Sequence, residues 1–207
     1  MAGVNAGREA ARAAAAACAA DGTRVAVLVE GMSDRAAVRV IADRLGHDLA
    51  AAGVAVVAMG GATNIGHFAT ALGPPGLGLR LAGLCDEHEE DDFRHGLTRA
   101  GLAPGPGRDG LRCLGFHVCV ADLEDEMIRA LGTDVVERVI AAEGEGHRFR
   151  TFLRQPAQRD RPPDARLRRF IGTHSGAKLR YGAALAGVLD LACLPPPLAG
   201  LVDYLVS

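Results

Sequence analysis

The sequence predicts a doubly wound α/β fold: a mostly parallel four-stranded sheet with flanking helices, followed by a helical C-terminal extension. Three observations carry this. Four short apolar runs, at 25–29, 53–59, 79–85 and 115–120, lack polar alternation, as strands buried on both faces require. Each run ends on a glycine turn or an acid and leads towards helically spaced apolar residues, the order of a parallel sheet. From Thr133 onward the helical spacing continues and no further strand is read. The 207 residues therefore divide into an N-terminal helix (1–22), an α/β core (23–132) and an extension (133–207).

The elements follow in order. The alanine-rich stretch 10–20 is short, weakly apolar and preceded by Glu9, so it reads as a helix and not a secretion signal. The run VAVLV at 25–29 stops on Glu30, turns on Gly31 and enters a helix carrying Val38, Ile41 and Leu45, with Ser33 or Asp34 as its cap. The second run, 53–59, meets Gly60-Gly61, and Thr63 or Asn64 can cap a helix reaching Leu72. The third run, 79–85, ends on Asp86 and opens an acid-crowded helix that closes with Arg99 before Gly101. A glycine- and proline-rich loop over 101–110 leads to the fourth run, and Asp122 and Glu124 open a helix through Leu131. Helices over 135–142, 147–153, 165–170, 178–191 and 198–206 make the extension, broken by prolines, with LPPPL at 194–198 as a stiff connector.

A net charge of −2 excludes a globally polyanion-binding protein, yet the charge is uneven. Residues 84–145 hold fifteen acids against six bases, and residues 147–180 hold ten bases against two acids. An acidic metal-binding face beside a basic arm suits a nucleic-acid enzyme; solvated helix faces produce the same blocks. Of the 23 basic residues Lys178 is the one lysine, and the Arg-, Ala- and Gly-rich composition matches a GC-rich bacterial genome. A surviving lysine is a candidate for work that needs a compact ammonium. Five cysteines without a CxxC pair fit a reduced cytoplasm, and no run reaches membrane-spanning length.

Three strand ends carry acids: Glu30, Asp86 and the pair Asp122/Glu124. In a parallel sheet these ends lie on one edge, where α/β sheets bind ligands. Converging carboxylates repel, and a divalent cation relieves them; an all-oxygen set favours Mg²⁺ or Mn²⁺ over Zn²⁺. The plainer alternatives stay open: an arginine partner for Glu30, and helix capping for Asp122 and Glu124.

The stretches VLVEGMSDRAAVRVIADRLG, MGGATNI, GLCDEHEEDDFRHGLTRAG and VCVADLEDEMIRALG resemble the Toprim domain of the OLD (overcoming lysogenization defect) family of nucleases, over residues 24–131. HSGAKLRYGAALAGVLDL is similar to that family's lysine-bearing segment. The resemblance implies a Toprim-like, Rossmann-like core with Glu30 and Asp34 as one set of metal ligands, Asp86 as a further ligand and Glu124 near a second metal. It implies one or two Mg²⁺ or Mn²⁺ ions, with Lys178 steadying the phosphate and Glu30 either a ligand or a general acid–base. The family shows DxD where this chain has Asp86-Glu87-His88; His88 suits Mn²⁺ better than Mg²⁺, and Glu87 and Glu89 are the substitutes at hand.

The implied function is a divalent-metal-dependent DNA phosphodiesterase. The alternatives are a Toprim binding or regulatory module working with a separate ATPase, and a nucleotidyl transferase or phosphate-ester hydrolase. OLD proteins join Toprim to an ABC-type ATPase, and GTHSGAKL from Gly172 is no phosphate loop: Ala177 and Leu179 stand where glycine and a hydroxyl belong. A separate ATPase partner is therefore expected, and a homodimer stays open. Arg154, Arg159, Arg161, Arg168, Arg169 and Arg180 are candidates to follow a nucleic-acid backbone. His117 reads as a core residue, and His174 and Ser175 lack a nearby acid for a hydrolase triad.

Overall fold

A computed structural model describes the backbone of residues 2–172 and 177–206, and the side chains of 5–172 and 178–206. His174 and Ser175 lie outside the described residues. Four parallel strands, β1 (Val25–Val29), β2 (Val54–Ala58), β3 (Arg80–Asp86) and β4 (Phe116–Cys119), form one sheet in the order β2-β1-β3-β4. Register pairs Leu28 with both Val57 and Gly83, and Asp86 with Cys119, so the carboxyl ends of the strands are nearly level. The expected strands all form, within a residue at each end.

The unalternating apolar runs have the predicted cause. Val27, Val29, Ala82, Leu84 and Cys119 face one core, and Ala26, Leu28, Leu81, Cys85 and Phe116 face another on the opposite side. The second core is closed by α1 (Ala2–Ala20), α3 (Ile65–Leu72), α4 (Glu90–Arg99) and α5 (Gly107–Cys113). The first is closed by α2 (Met32–Arg44) and α6 (Leu123–Leu131), then by the extension: α7 (Thr133–Ala142), α8 (Gly146–Leu153), α9 (Pro163–Gly172), α10 (Ala177–Ala186) and α11 (Pro196–Val206). The extension is therefore part of this core. Phe149, Phe152, Phe170 and Tyr181 pack ring to ring, with centroids 5.0 Å apart for Phe149 and Phe170. Each such buried ring contributes about 1.5–3 kcal/mol.

Four local expectations are corrected. Gly107–Cys113 is helical, because Leu111 packs into the second core and stabilises a turn that its flanking glycines do not. The helix at Ala177 ends at Ala186, where Arg44 donates to the Ala186 and Leu189 carbonyls at 2.8 Å and closes its end. The prolines at 194–198 are not a connector: Pro196 begins α11, as proline's fixed φ permits in a first turn. Capping differs too. Gly31 is the N-cap of α2, with Asp34 three residues on accepting its N–H at 2.9 Å; Asn64 holds the N-cap position of α3, but its side chain donates to the Met59 carbonyl at 3.0 Å and makes no capping bond.

Gly182 sets how closely α10 approaches α2. A methyl there would meet the Ser33 carbonyl oxygen at 2.6 Å, and glycine lets the helix backbones touch. This contact carries the first turn of α10, with Lys178, over the carboxyl edge of the sheet.

Candidate functional site

Glu30 follows the last residue of β1, and Asp86 is the last of β3, the adjacent strand, so topology alone brings them together. The Glu30 carbonyl accepts the N–H groups of Gly60 at 2.9 Å and Gly61 at 3.3 Å, which ties the β2 turn to the end of β1. Those glycines hold φ of +71° and +127°, the second out of reach of L side chains, so the glycine pair is a backbone requirement.

After Asp86 the chain makes one 3₁₀ turn, Glu87–Glu89. Residues three apart eclipse in such a turn, and Glu89 swings back over Asp86. One carboxylate oxygen from each of Glu30, Asp86 and Glu89 lies within 4.8 Å of the other two. Burial, then Asp122, Glu89, Asp34 and Glu30, push the Asp86 carboxyl up to about 8. Burial, then Glu30, Asp92 and Asp34, push Glu89 up to about 7, with Lys178 opposing. The buried Oε2 of Glu89 has no hydrogen-bond partner among the described residues. An orphaned carboxylate oxygen beside two repelling carboxylates, with no sulfur or nitrogen donor in the set, fits a hard divalent cation.

A second group stands alongside. Asp34, in the first turn of α2, accepts the Gly31 N–H at 2.9 Å. Burial raises its pKa, with the Gly31 bond and Lys178 opposing and Glu30 and Asp122 adding to the rise. Glu124, in the first turn of α6, is 3% exposed. Its Oε1 accepts no hydrogen bond among the described residues and lies 3.5 Å from the Lys178 ammonium. Burial raises the Glu124 pKa against the pull of Lys178. For Lys178 burial works downward, but Glu124, Asp34, Asp122 and Glu30 together raise its pKa, so the ammonium stays charged.

Asp122 caps α6 by accepting the Asp125 N–H at 2.8 Å and also binds Arg168 at 2.7 Å. The capping alternative read from the sequence is thus realised at Asp122, and the ion pair with Arg168 comes in addition. The turn into α6 is strained: Ala121 holds φ at +69°. Buried Glu126 secures that turn, accepting the Val120 N–H at 2.8 Å and pairing with Arg129 at 2.9 Å.

Beside Glu124 and Asp122 opens a cleft of about 600 Å³ lined by Lys178, Arg161, Arg168 and Arg169. Three of the six candidate arginines thus reach the carboxylates' surroundings. Arg180 does not: it pairs with Glu143 at 3.3 Å and with Glu145, and lies 5.4 Å from the Tyr181 ring centre. Arg154 and Arg159 are exposed away from the cleft. His88 is exposed and outside the three-carboxylate cluster, and Glu87 pairs with Arg108. His117 is a buried strand residue packed on Gly200. Of the two substitutes that the sequence offers after Asp86, Glu89 is the one brought to Glu30 and Asp86, while Glu87 turns to Arg108.

Residues 23–87 match the family described as overcoming lysogenization defect protein-like, TOPRIM domain. Among solved structures, the C-terminal region of the Burkholderia pseudomallei OLD protein superposes with a TM-score of 0.66 at 24% identity, over 88% of this chain and 97% of that one. The C-terminal region of the Xanthomonas campestris pv. campestris OLD protein superposes with a TM-score of 0.65 at 25% identity, over 88% and 92%. No curated protein sequence matches the chain. No described helix is long and apolar enough to cross a membrane.

Proposed function

Because the chain carries an OLD-like Toprim domain, we propose that it is a divalent-metal-dependent nucleic-acid phosphodiesterase acting on DNA. The observation that carries the proposal is the meeting of Glu30, Asp86 and Glu89, one oxygen of each within 4.8 Å of the others. Bound there, Mg²⁺ or Mn²⁺ would polarise a phosphodiester and lower the pKa of an attacking water.

The protein's own groups do the rest. Glu30, Asp86 and Glu89 would hold the first ion, and Asp34 and Glu124, beside Lys178, would be the acids left for a second. The Lys178 ammonium, kept protonated by four acids, faces the reacting phosphate and steadies the negative charge that grows there. Arg161, Arg168 and Arg169 line the cleft through which the sugar–phosphate backbone runs. Glu30 is the candidate to accept a proton from water. A separate ABC-type ATPase as partner belongs to the same reading.

Supercoiled plasmid with Mn²⁺ or Mg²⁺ tests it. Nicking should appear with wild type and vanish in Glu30→Gln and Asp86→Asn, with thermal melting showing both variants folded. One observation favours a second reading, a binding or regulatory module without cleavage: Arg168 already holds Asp122 and Lys178 already holds Glu124. Salt-sensitive DNA binding with no nicking in either metal would select it.

A further inference from the structure

The carboxylate edge has a second flank. The cleft that holds Arg161 and Arg168 opens on the face of the sheet covered by α6, α9 and α10, while α1 and α3 pack on the opposite face. Between α1 and α3 runs a groove of about 560 Å³ lined by Arg8, Ala11, Arg12, His67, Thr70 and Ala71. Its Arg8 end stands beside the candidate site. A methyl on Gly7 would lie 2.2 Å from Asn64 Oδ1 and 3.4 Å from the His67 ring, so a glycine there seats the start of α1 on the start of α3. Asn64 in turn donates to the Met59 and Gly60 carbonyls, and the Gly60 N–H is held by the Glu30 carbonyl. Arg8 and Arg12, four residues apart, share one face of α1; Glu9 is turned about 100° round the helix and is not in the wall. Arg99, at the end of α4, continues the charge across α3, its guanidinium 3.3 Å from where a methyl on Gly66 would sit. Arg94, Arg108, Arg129 and Arg180 are each paired with acids. Arg8, Arg12 and Arg99 are exposed and, among the described residues, none of them meets an acid and no acid lines the groove.

We propose that this groove is a second seat for the backbone of a nucleic acid: the polymer that crosses the carboxylate edge is held by Arg161 and Arg168 on one face of the sheet and by Arg8 and Arg12 on the other. The lining selects a phosphodiester backbone over other anions. Ala11 and Ala71 leave a shallow floor that lets phosphates come close, and no Phe or Tyr stands in the wall to stack a base. The Thr70 hydroxyl is already given to the Gly66 carbonyl at 2.7 Å, so charge is what the groove offers. Such contacts fix position without reading sequence. They also offset the repulsion that the acids at the edge exert on a polyanion. The inference deepens the nuclease reading and rests on it only for where the polymer crosses, because binding is measured with divalent ions chelated.

Fluorescence anisotropy of a labelled DNA duplex in EDTA, repeated across salt concentrations, reads it. In Arg8→Gln/Arg12→Gln the slope of log affinity against log salt should flatten by about 2, so that the wild type's advantage shrinks roughly tenfold between about 50 and 200 mM salt. Both side chains are exposed, and the melting temperature should hold. Arg8→Lys/Arg12→Lys should keep the wild-type slope, since counterion release needs the charge and not the guanidinium fork. A wild-type slope in the glutamine variant overturns the proposal, and so does a slope flattened as much in the lysine variant. Arg39→Gln removes the same charge from an exposed arginine on α2, in another groove; an equal flattening per charge there would mean that net charge alone sets binding, and overturns it too. Nicking by wild type that is lost in Glu30→Gln, with an unaltered slope in Arg8→Gln/Arg12→Gln, would sink this inference alone. A flattened slope with no nicking by wild type would leave it standing without the nuclease reading.

Discussion

Cation binding at Glu30, Asp86 and Glu89 should expel protons, and the number expelled should fall from two to none across the neutral range. Without metal, burial and the neighbouring acids hold Asp86 up to about 8 and Glu89 up to about 7. Their oxygens lie within 4.8 Å of each other, so they titrate as a coupled pair in two macroscopic steps. A cation takes only the ionised form. Mg²⁺ affinity should therefore rise roughly a hundredfold per pH unit below about pH 6.5, roughly tenfold per unit between about 7 and 8, and level off above about 8.5. Stability of the metal-free protein runs the other way. Both groups hold protons more tightly folded than unfolded, where their pKa values are about 4, so their contribution is full below about pH 4 and is lost as pH climbs through about 7 to 8. Calorimetric Mg²⁺ titrations in buffers of different ionisation enthalpy count the protons, and melting of the metal-free protein reads the second trend. An affinity independent of pH between about 6 and 9, or a metal-free melting temperature that climbs over that range, would refute the coupling.

Other perturbations probe how the site is held. Gly182→Ala, with its methyl 2.6 Å from the Ser33 carbonyl oxygen, should cost about 1–3 kcal/mol and draw Lys178 away from Glu124. A lower melting temperature with unchanged cleavage would mean that this contact does not position the lysine. Ala121→Gly should relieve the left-handed conformation at φ +69° and add about 1 kcal/mol in urea denaturation; no gain would mean that the turn stores no strain. Arg161→Gln should reduce the slope of log affinity for DNA against log salt by about 1, and an unaltered slope would take Arg161 off the backbone's path.

The sheet was legible because burial on both faces leaves a signature in composition: VAVLV, with no alternation, can only sit between two layers. Strand ends carrying Glu30 and Asp86 could likewise be placed on one edge, since parallel order fixes direction. What escaped were features set by contacts distant in sequence or by turn type. Gly107–Cys113 looks like loop until Leu111 has a core to enter. The sequence offered both Glu87 and Glu89 as substitutes, and the choice between them is made only once the chain after Asp86 winds as 3₁₀. The fates of Asp122 and Arg180 depend on Arg168 and on Glu143 with Glu145, partners 46, 37 and 35 residues away. Charge blocks in the sequence could not separate arginines lining the cleft from those tied down elsewhere.

Residues from all of α6 to α11 share the core that covers one side of the sheet, and this has a consequence for a chain made from its amino terminus. The last strand ends at Cys119, yet α10, which lies on α2, is complete only at Ala186. At about 5–20 residues per second, the ribosome needs some 3–13 s to supply the missing half of the lining. During that interval Val27, Val29 and Leu84 have only α2 to cover them, and a chaperone able to shield the remaining aliphatic surface for several seconds would raise the yield of folded protein.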